Sequence, residues 1–150
     1  MLGLIFKRLL VGFWAMFFSL VALTNLVDLL DTLGAFDWRF LDSGNYEYLR
    51  SVVDVYGVGP AVTKALLAGA FAVELVAAVL FWRALLRLGR GERALREALV
   101  AVCFGTGVWI AFVFMTEFFT AYDSESVFRE LLAIMVGTAL ALVLVPDEVG

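Results

Sequence analysis

The 150-residue chain is 63% hydrophobic and 17% charged, with a mean hydropathy of +0.97 and a formal net charge of −4. A soluble domain of this length is nearer half apolar and a quarter charged, so the composition excludes an ordinary soluble domain and belongs to the membrane class. With no histidine and one cysteine, Cys103, the chain lacks the usual ligands for zinc, haem or iron–sulfur sites, and an intrachain disulfide is impossible.

Four apolar windows are long enough to cross about 30 Å of hydrocarbon, which takes roughly 20 helical residues. They are Leu9–Leu30, Val62–Trp82, Leu99–Phe119 and Val127–Val145. The first begins after Lys7 and Arg8, and its apolar stretch exceeds the 7–15 residues typical of a signal peptide, so a signal-anchor helix is predicted. No linker divides the chain. The expected fold is an all-α, four-transmembrane-helix bundle formed by one domain over residues 1–150.

Charge is sorted by side. Arg83, Arg87, Arg90, Arg93 and Arg96 crowd the segment between the second and third windows, whereas Asp31, Asp37, Asp42, Glu47 and Asp54 lie in the first loop and Asp123 and Glu125 in the last. Lys and Arg in short loops mark the cytoplasmic face. The pattern predicts a multi-pass protein of the cytoplasmic membrane with both termini inside. The arginine segment reads either as this bias alone or as a site for anionic lipid.

The long first loop carries Tyr46, Leu49, Val53 and Tyr56 at helical spacing, with Glu47, Arg50 and Asp54 opposite. This predicts an amphipathic interfacial helix, serving as a lid or as a docking surface. Phe36, Trp38 and Phe40 fit an aromatic belt. Pro60 and Pro146 fall at helix edges, where a missing N–H is tolerated.

Small residues recur at packing intervals: Gly12, Ala15, Ser19 and Ala22 in the first helix, Ala70, Ala77 and Ala78 in the second, Gly107 and Ala111 in the third, and Ala133, Gly137 and Ala141 in the fourth. Small residues let helix backbones approach in lipid, so these stripes are expected to face inward. Cys103 is expected to be a packed core thiol.

Polar groups inside the apolar windows are the candidates for function. Glu74 lies ten residues after Lys64 and nine before Arg83, about 15 Å from each along a helix. A charge at such depth costs at least roughly 2.5–3.5 kcal/mol, so Glu74 is expected to be neutral, inward-facing and donating a hydrogen bond to another helix. Nearer the outer face, Asn25 and Asp28, Thr116 and Glu117, and Arg129 and Glu130 would share one layer. Arg129 is the sole cation among them, which makes it the expected partner of Asp28 or Glu117. Such a network reads in two ways, as a fixer of helix register or as a ligand or proton site.

At these residues the chain resembles the bacterial "predicted small integral membrane protein" family, a domain of unknown function with four spanning helices. The likeness rests on "NLVD" late in helix one, "VELVAAVLFW" in helix two, "W…F…EFF" in helix three, "SESVFRELL" opening helix four and the closing "VLVPDE". It runs in order over nearly the whole chain. The family's second helix tends to be preceded by histidines, which this sequence lacks. The resemblance implies the fold and a shared polar set, and no activity.

There is no Gly-rich phosphate loop, nucleophile elbow or Cys-x-x-Cys, so no enzyme, cofactor or metal is expected, and no nucleic-acid partner. The expected role is a non-catalytic accessory component that packs against membrane lipids and a protein partner or a second copy of itself. The competing class is a small oligomeric transporter or proton-linked channel using Glu74 and the outer cluster.

Overall fold

A computed structural model describes residues 1–35, 41 and 43–147. The aromatic belt residues Phe36, Trp38 and Phe40, the acids Asp37 and Asp42, and Glu148 of the closing motif lie outside them.

Among the described residues the elements are all helical: α1 (Leu2–Thr32), α2 (Asn45–Val53) followed by a 3-10 turn (Asp54–Tyr56), α3 (Pro60–Arg87), α4 (Glu92–Phe118) and α5 (Tyr122–Leu144). The four long helices match the four apolar windows, α4 and α5 each ending one residue short of theirs, and each is long and apolar enough to cross a membrane. They run past the apolar runs at most ends, because Lys, Arg and Glu are good helix formers where the hydrocarbon stops. Pro60 occupies the first turn of α3, where its fixed φ suits the helix start.

Short connections after α3 and α4 make successive long helices antiparallel, giving one end of the bundle that carries both termini and another covered by α2. We call these the termini end and the lid end. Helix α1 packs most extensively on α3, then α4 on α5 and α3 on α4, while α5 approaches α1 less closely.

The α1–α3 pair is tied at both ends by reciprocal caps. Lys64 of α3 donates to the carbonyl of Thr32 at the end of α1 (2.6 Å), and Arg8 of α1 donates to the carbonyl of Leu88 just past α3 (2.8 Å). Cations satisfy the unpaired carbonyls there and complement the negative end of each helix dipole. Beside them Lys7, almost fully buried, pairs with Asp147 at 2.8 Å.

The centre is aromatic. One ring from each long helix joins a face-to-face stack: Phe81 of α3 on Phe18 of α1 (5.7 Å), Phe18 on Trp109 of α4 (5.3 Å) and Trp109 on Phe128 of α5 (6.3 Å). Trp14 lies against the same cluster, and its indole N–H donates to Thr138 Oγ1 at 2.9 Å. Large rings stacked this way fill the axis of the bundle with apolar surface.

The small-residue stripes divide. On α1, Ala15 and Ala22 are buried, and on α3 so are Ala77 and Ala78. On α4 and α5 the expectation is corrected: Gly107, Ala111, Ala133 and Gly137 are exposed on the outer surface, and a Cβ at Gly107 or Gly137 would meet nothing. The close approach between these helices is made instead at Gly105, where a Cβ would lie 2.7 Å from Met135 Cε and 3.2 Å from Phe81. Cys103 is likewise exposed rather than packed in the core. The reason is common to all. Lipid and protein interior are both apolar, so an apolar helix face does not reveal which of the two it meets.

Candidate functional site

Toward the lid end, α1 and α3 bury a connected set of polar groups. Helix α1 places Asn25 and Asp28 one turn apart on the face that carries Ala22, and α3 places Glu74 on the face that carries Leu67, Ala77 and Ala78. All three polar residues are at most 5% exposed.

Asp28 builds the lid. Its carboxylate accepts from the Ser43 hydroxyl (2.9 Å), the Ser43 N–H (3.2 Å), the Asn45 N–H (2.6 Å) and the Tyr46 N–H (3.3 Å). The last two are among the N–H groups that open α2. A helix start leaves such donors unpaired and carries the positive end of the dipole, so a carboxylate supplied by another helix is a strong cap. The preceding residue is Gly44 with φ 68°, a left-handed conformation that glycine adopts without a Cβ clash. It turns the chain so that its N–H groups converge on Asp28.

Glu74 is joined to the same structure. Asn25 Nδ2 donates to Glu74 Oε2 at 2.6 Å, and Asn45 Nδ2 donates to Asn25 Oδ1 at 2.7 Å. The carboxyl in the middle of α3 is therefore linked, through one amide from α1, to the first residue of the lid helix. Here too an expectation is corrected. Glu74 accepts its hydrogen bond, because the Asn25 amide is oriented with its NH2 toward the acid and its carbonyl toward Asn45. Toward the termini end this polar chain stops, since Ala77, Ala78 and Phe81 on the same side of α3 are buried and apolar.

The lid helix shows the expected amphipathy in part, since Tyr56 of the predicted apolar face lies beyond α2 in the 3-10 turn and is exposed. Val53 is fully buried, Tyr46 and Leu49 are half-buried, and Glu47, Arg50 and Asp54 are exposed. It packs on α1 and α3 and reaches across to the α4–α5 turn. Tyr48 hydrogen-bonds Ser124, and Tyr56 donates to the Phe118 carbonyl at 2.6 Å while its ring packs on Phe118 and Phe119. Between the lid and this turn is an open cleft of about 260 Å3 that includes Tyr48, Val52, Val55, Phe119 and Ser124.

The outer layer does not assemble as expected. Arg129 pairs with Glu125, one turn earlier on its own helix, at 3.0 Å, and its side chain is 65% exposed. It meets neither Asp28 nor Glu117. Asp28 is occupied with α2, and Glu117 and Glu130 are exposed on α4 and α5. The expected pair loses because an i,i+4 partner is available without crossing the bundle. Thr116 is buried but donates to the Val113 carbonyl on its own helix. Of the six candidate residues, the structure brings together Asn25, Asp28 and Glu74, and separates Glu117, Arg129 and Glu130 from them. Ser43 and Asn45 complete the site and were not anticipated. The signal for them lies in "DSGN", a Gly-containing turn before an amphipathic run.

Among the described residues, no three Asp, Glu or Cys side chains gather closely enough to share a metal ion. The chain matches no family model, no curated protein and no solved structure.

Proposed function

We propose that the chain is a non-catalytic component of a membrane assembly, resident in the cytoplasmic membrane with both termini inside, and that α5 is the face it offers to a partner helix. The family resemblance, with its shared polar set, belongs to the same reading. The observation that carries the proposal is the outward surface of α5. Glu130, Ala133 and Gly137 recur at three- and four-residue spacing and are exposed, beside the exposed Arg129. Glu130 is eight residues into a 23-residue helix, or about 12 Å from its start. Ionised side chains inside a span are costly against lipid, and small residues allow a close helix–helix approach. A partner helix satisfies both.

A photoreactive residue in place of Ala133 should crosslink the chain to a protein, a second copy or another membrane protein, in intact membranes. Adducts to lipid alone would sink the proposal. The orientation has its own check in a Cys103→Ser background. Cysteine at Ser43 should react with an impermeant thiol reagent in whole cells, and cysteine at Gly91 should not. The reverse pattern would invert the topology.

One observation favours the second class, a proton-linked channel or transporter. The hydrogen-bond chain Glu74–Asn25–Asn45 runs from a buried acid to the lid. The stacked rings fill the axis, so any proton would follow this polar chain from the lid end. Purified protein in liposomes tests it: flux that Glu74→Gln abolishes without unfolding the chain supports this reading, and absence of flux in the wild type removes it.

A further inference from the structure

At the opposite end of the molecule, the α3–α4 turn forms an open cleft of about 600 Å3 lined by Leu80, Arg83, Glu92, Arg93, Arg96, Glu97 and Val100. Its charge is organised around one carboxylate. Glu97 accepts from Arg87 at 2.6 Å and from Arg83 Nε and Nη2 at 3.4 Å each, with Arg93 Nε at 3.8 Å. A single acid thus holds two arginines of α3 in place and draws in a third from its own helix. Arg96 meets no carboxylate among the described residues and lines the same cleft. Three arginines, Arg83, Arg93 and Arg96, line the cleft against two glutamates, Glu92 and Glu97, so it retains a net positive charge, and guanidinium forks suit a phosphate oxyanion.

The floor of the cleft is apolar. Leu80 and Val100 face it, and one turn further into the spans Val76 and Phe104 lie on the same faces of α3 and α4 by their four-residue spacing. Val76 is exposed and Phe104 half-buried. A ligand lodged there would meet arginines at one end and a hydrocarbon-facing groove at the other. From this arrangement we propose that the α3–α4 cleft is a binding site for an anionic phospholipid, its phosphate held by Arg93 and Arg96 beside the Glu97-ordered Arg83, and its acyl chain lying along Leu80 and Val100.

This differs from a general attraction of basic loops to acidic membranes, which depends on charge number and not on place. Arg90 supplies the control. It belongs to the same basic segment but does not line the cleft.

The test is native mass spectrometry of the detergent-purified full chain titrated with phosphatidylglycerol or phosphatidylcholine, for the wild type, Arg90→Gln, and Arg93→Gln with Arg96→Gln. The wild type should retain phosphatidylglycerol in preference to phosphatidylcholine. The double variant should weaken that retention by about tenfold or more, since one direct hydrogen bond to a charged group is worth on the order of tenfold. Arg90→Gln should change it less than about twofold, with all three proteins melting at similar temperatures. An equal loss per arginine removed in Arg90→Gln and in the double variant would mean diffuse charge and overturn the proposal, as would no preference for the anionic lipid. A thermal-shift arm with glycerol 3-phosphate separates the sources of phosphate. Stabilisation by it equal to that by phosphatidylglycerol would assign the cleft to a soluble anion and not a lipid.

Discussion

The two halves of the bundle treat the same kinds of residue in opposite ways. In the α1–α3 half, polar groups set in apolar runs are buried and hydrogen-bonded. Asn25 serves Glu74 and Asn45, Asp28 caps α2, and Lys64 and Arg8 close the helix ends. In the α4–α5 half, Glu117, Arg129, Glu130 and the small residues Gly107, Ala111, Ala133 and Gly137 are exposed. One half has satisfied its polar groups within the chain except for the buried Thr63 hydroxyl, which has no partner, and the other presents Glu117, Arg129 and Glu130. The difference teaches where further interactions are to be sought. A finished half holds the fold and the lid, and an unfinished half is available to a partner.

The strongest way to break the finished half is Asp28→Ala. It strips the opening N–H groups of α2 of their acceptor and leaves Ser43 and Asn45 without their anchor. Hydrogen bonds to a charged group are worth about 1.5–3 kcal/mol each and several are lost together, so the lid should be destabilised by about 3 kcal/mol or more. Hydrogen exchange should show the amides of residues 43–53 losing protection while those of α4 and α5 keep theirs. Unchanged protection in α2 would mean that its packing on Val53, and not the cap, holds it.

Next in size is the Asn25–Glu74 bond. Asn25→Leu leaves Glu74 buried without its donor and should cost about 1–3 kcal/mol, more if the acid is charged. Replacing both by leucine removes the polar pair and should recover most of that loss, since a buried acid–amide pair is often no more stabilising than well-packed apolar residues. Reversible unfolding in detergent of the two single variants and the double variant gives the coupling directly. Additive losses would show that the 2.6 Å contact contributes nothing of its own. Glu74→Gln retains an acceptor for Asn25 and should fold like the wild type.

The glycines contrast the halves directly. Gly105→Leu drives a side chain into Met135 and Phe81 and should cost about 1–3 kcal/mol through overpacking. Gly137→Leu projects into open space and should leave monomer stability within about 0.5 kcal/mol, with its effect confined to assembly. If both lower the melting temperature of the isolated chain equally, the outward orientation of Gly137 is wrong.

Much of the first half was legible in the sequence and little of the second. The four spans follow from run length alone. The inward face of Glu74 follows from its depth and its alanine neighbours, because the penalty for a lipid-facing acid at that depth is large. The pattern Tyr46, Leu49, Val53 located α2 for the same reason, since exposed and buried sides differ in polarity. That criterion fails on α4 and α5, where Gly107 and Gly105, or Gly137 and Met135, are all apolar and nothing local distinguishes a neighbour helix from lipid. Asp28 was assigned to the right helix face but the wrong partner. An acid late in a span suggests an arginine, whereas the actual partner is a row of backbone N–H groups, which no residue type announces.

The smallest expected effect belongs to Arg129. Its bond to Glu125 lies within one helix and Arg129 itself is exposed, and i,i+4 helix pairs contribute about 0.3–0.5 kcal/mol. Arg129→Ala should therefore leave the unfolding of the isolated chain nearly unchanged, in contrast to Asp28→Ala, although the sequence suggests that Arg129 pairs with Asp28 or Glu117. A large loss would mean that Arg129 reaches a buried acid after all. The same variant should nevertheless matter in the membrane if α5 meets a partner. Removing the cation leaves Glu125 and Glu130 as a like-charged stretch at the interface, and desolvating them together is costly. The distinguishing result is an unfolding curve that does not move beside an Ala133 photocrosslink that weakens. If the crosslink is unaffected as well, Arg129 only keeps Glu125 company at the helix surface, and the partner must recognise α5 through Ala133 and Gly137.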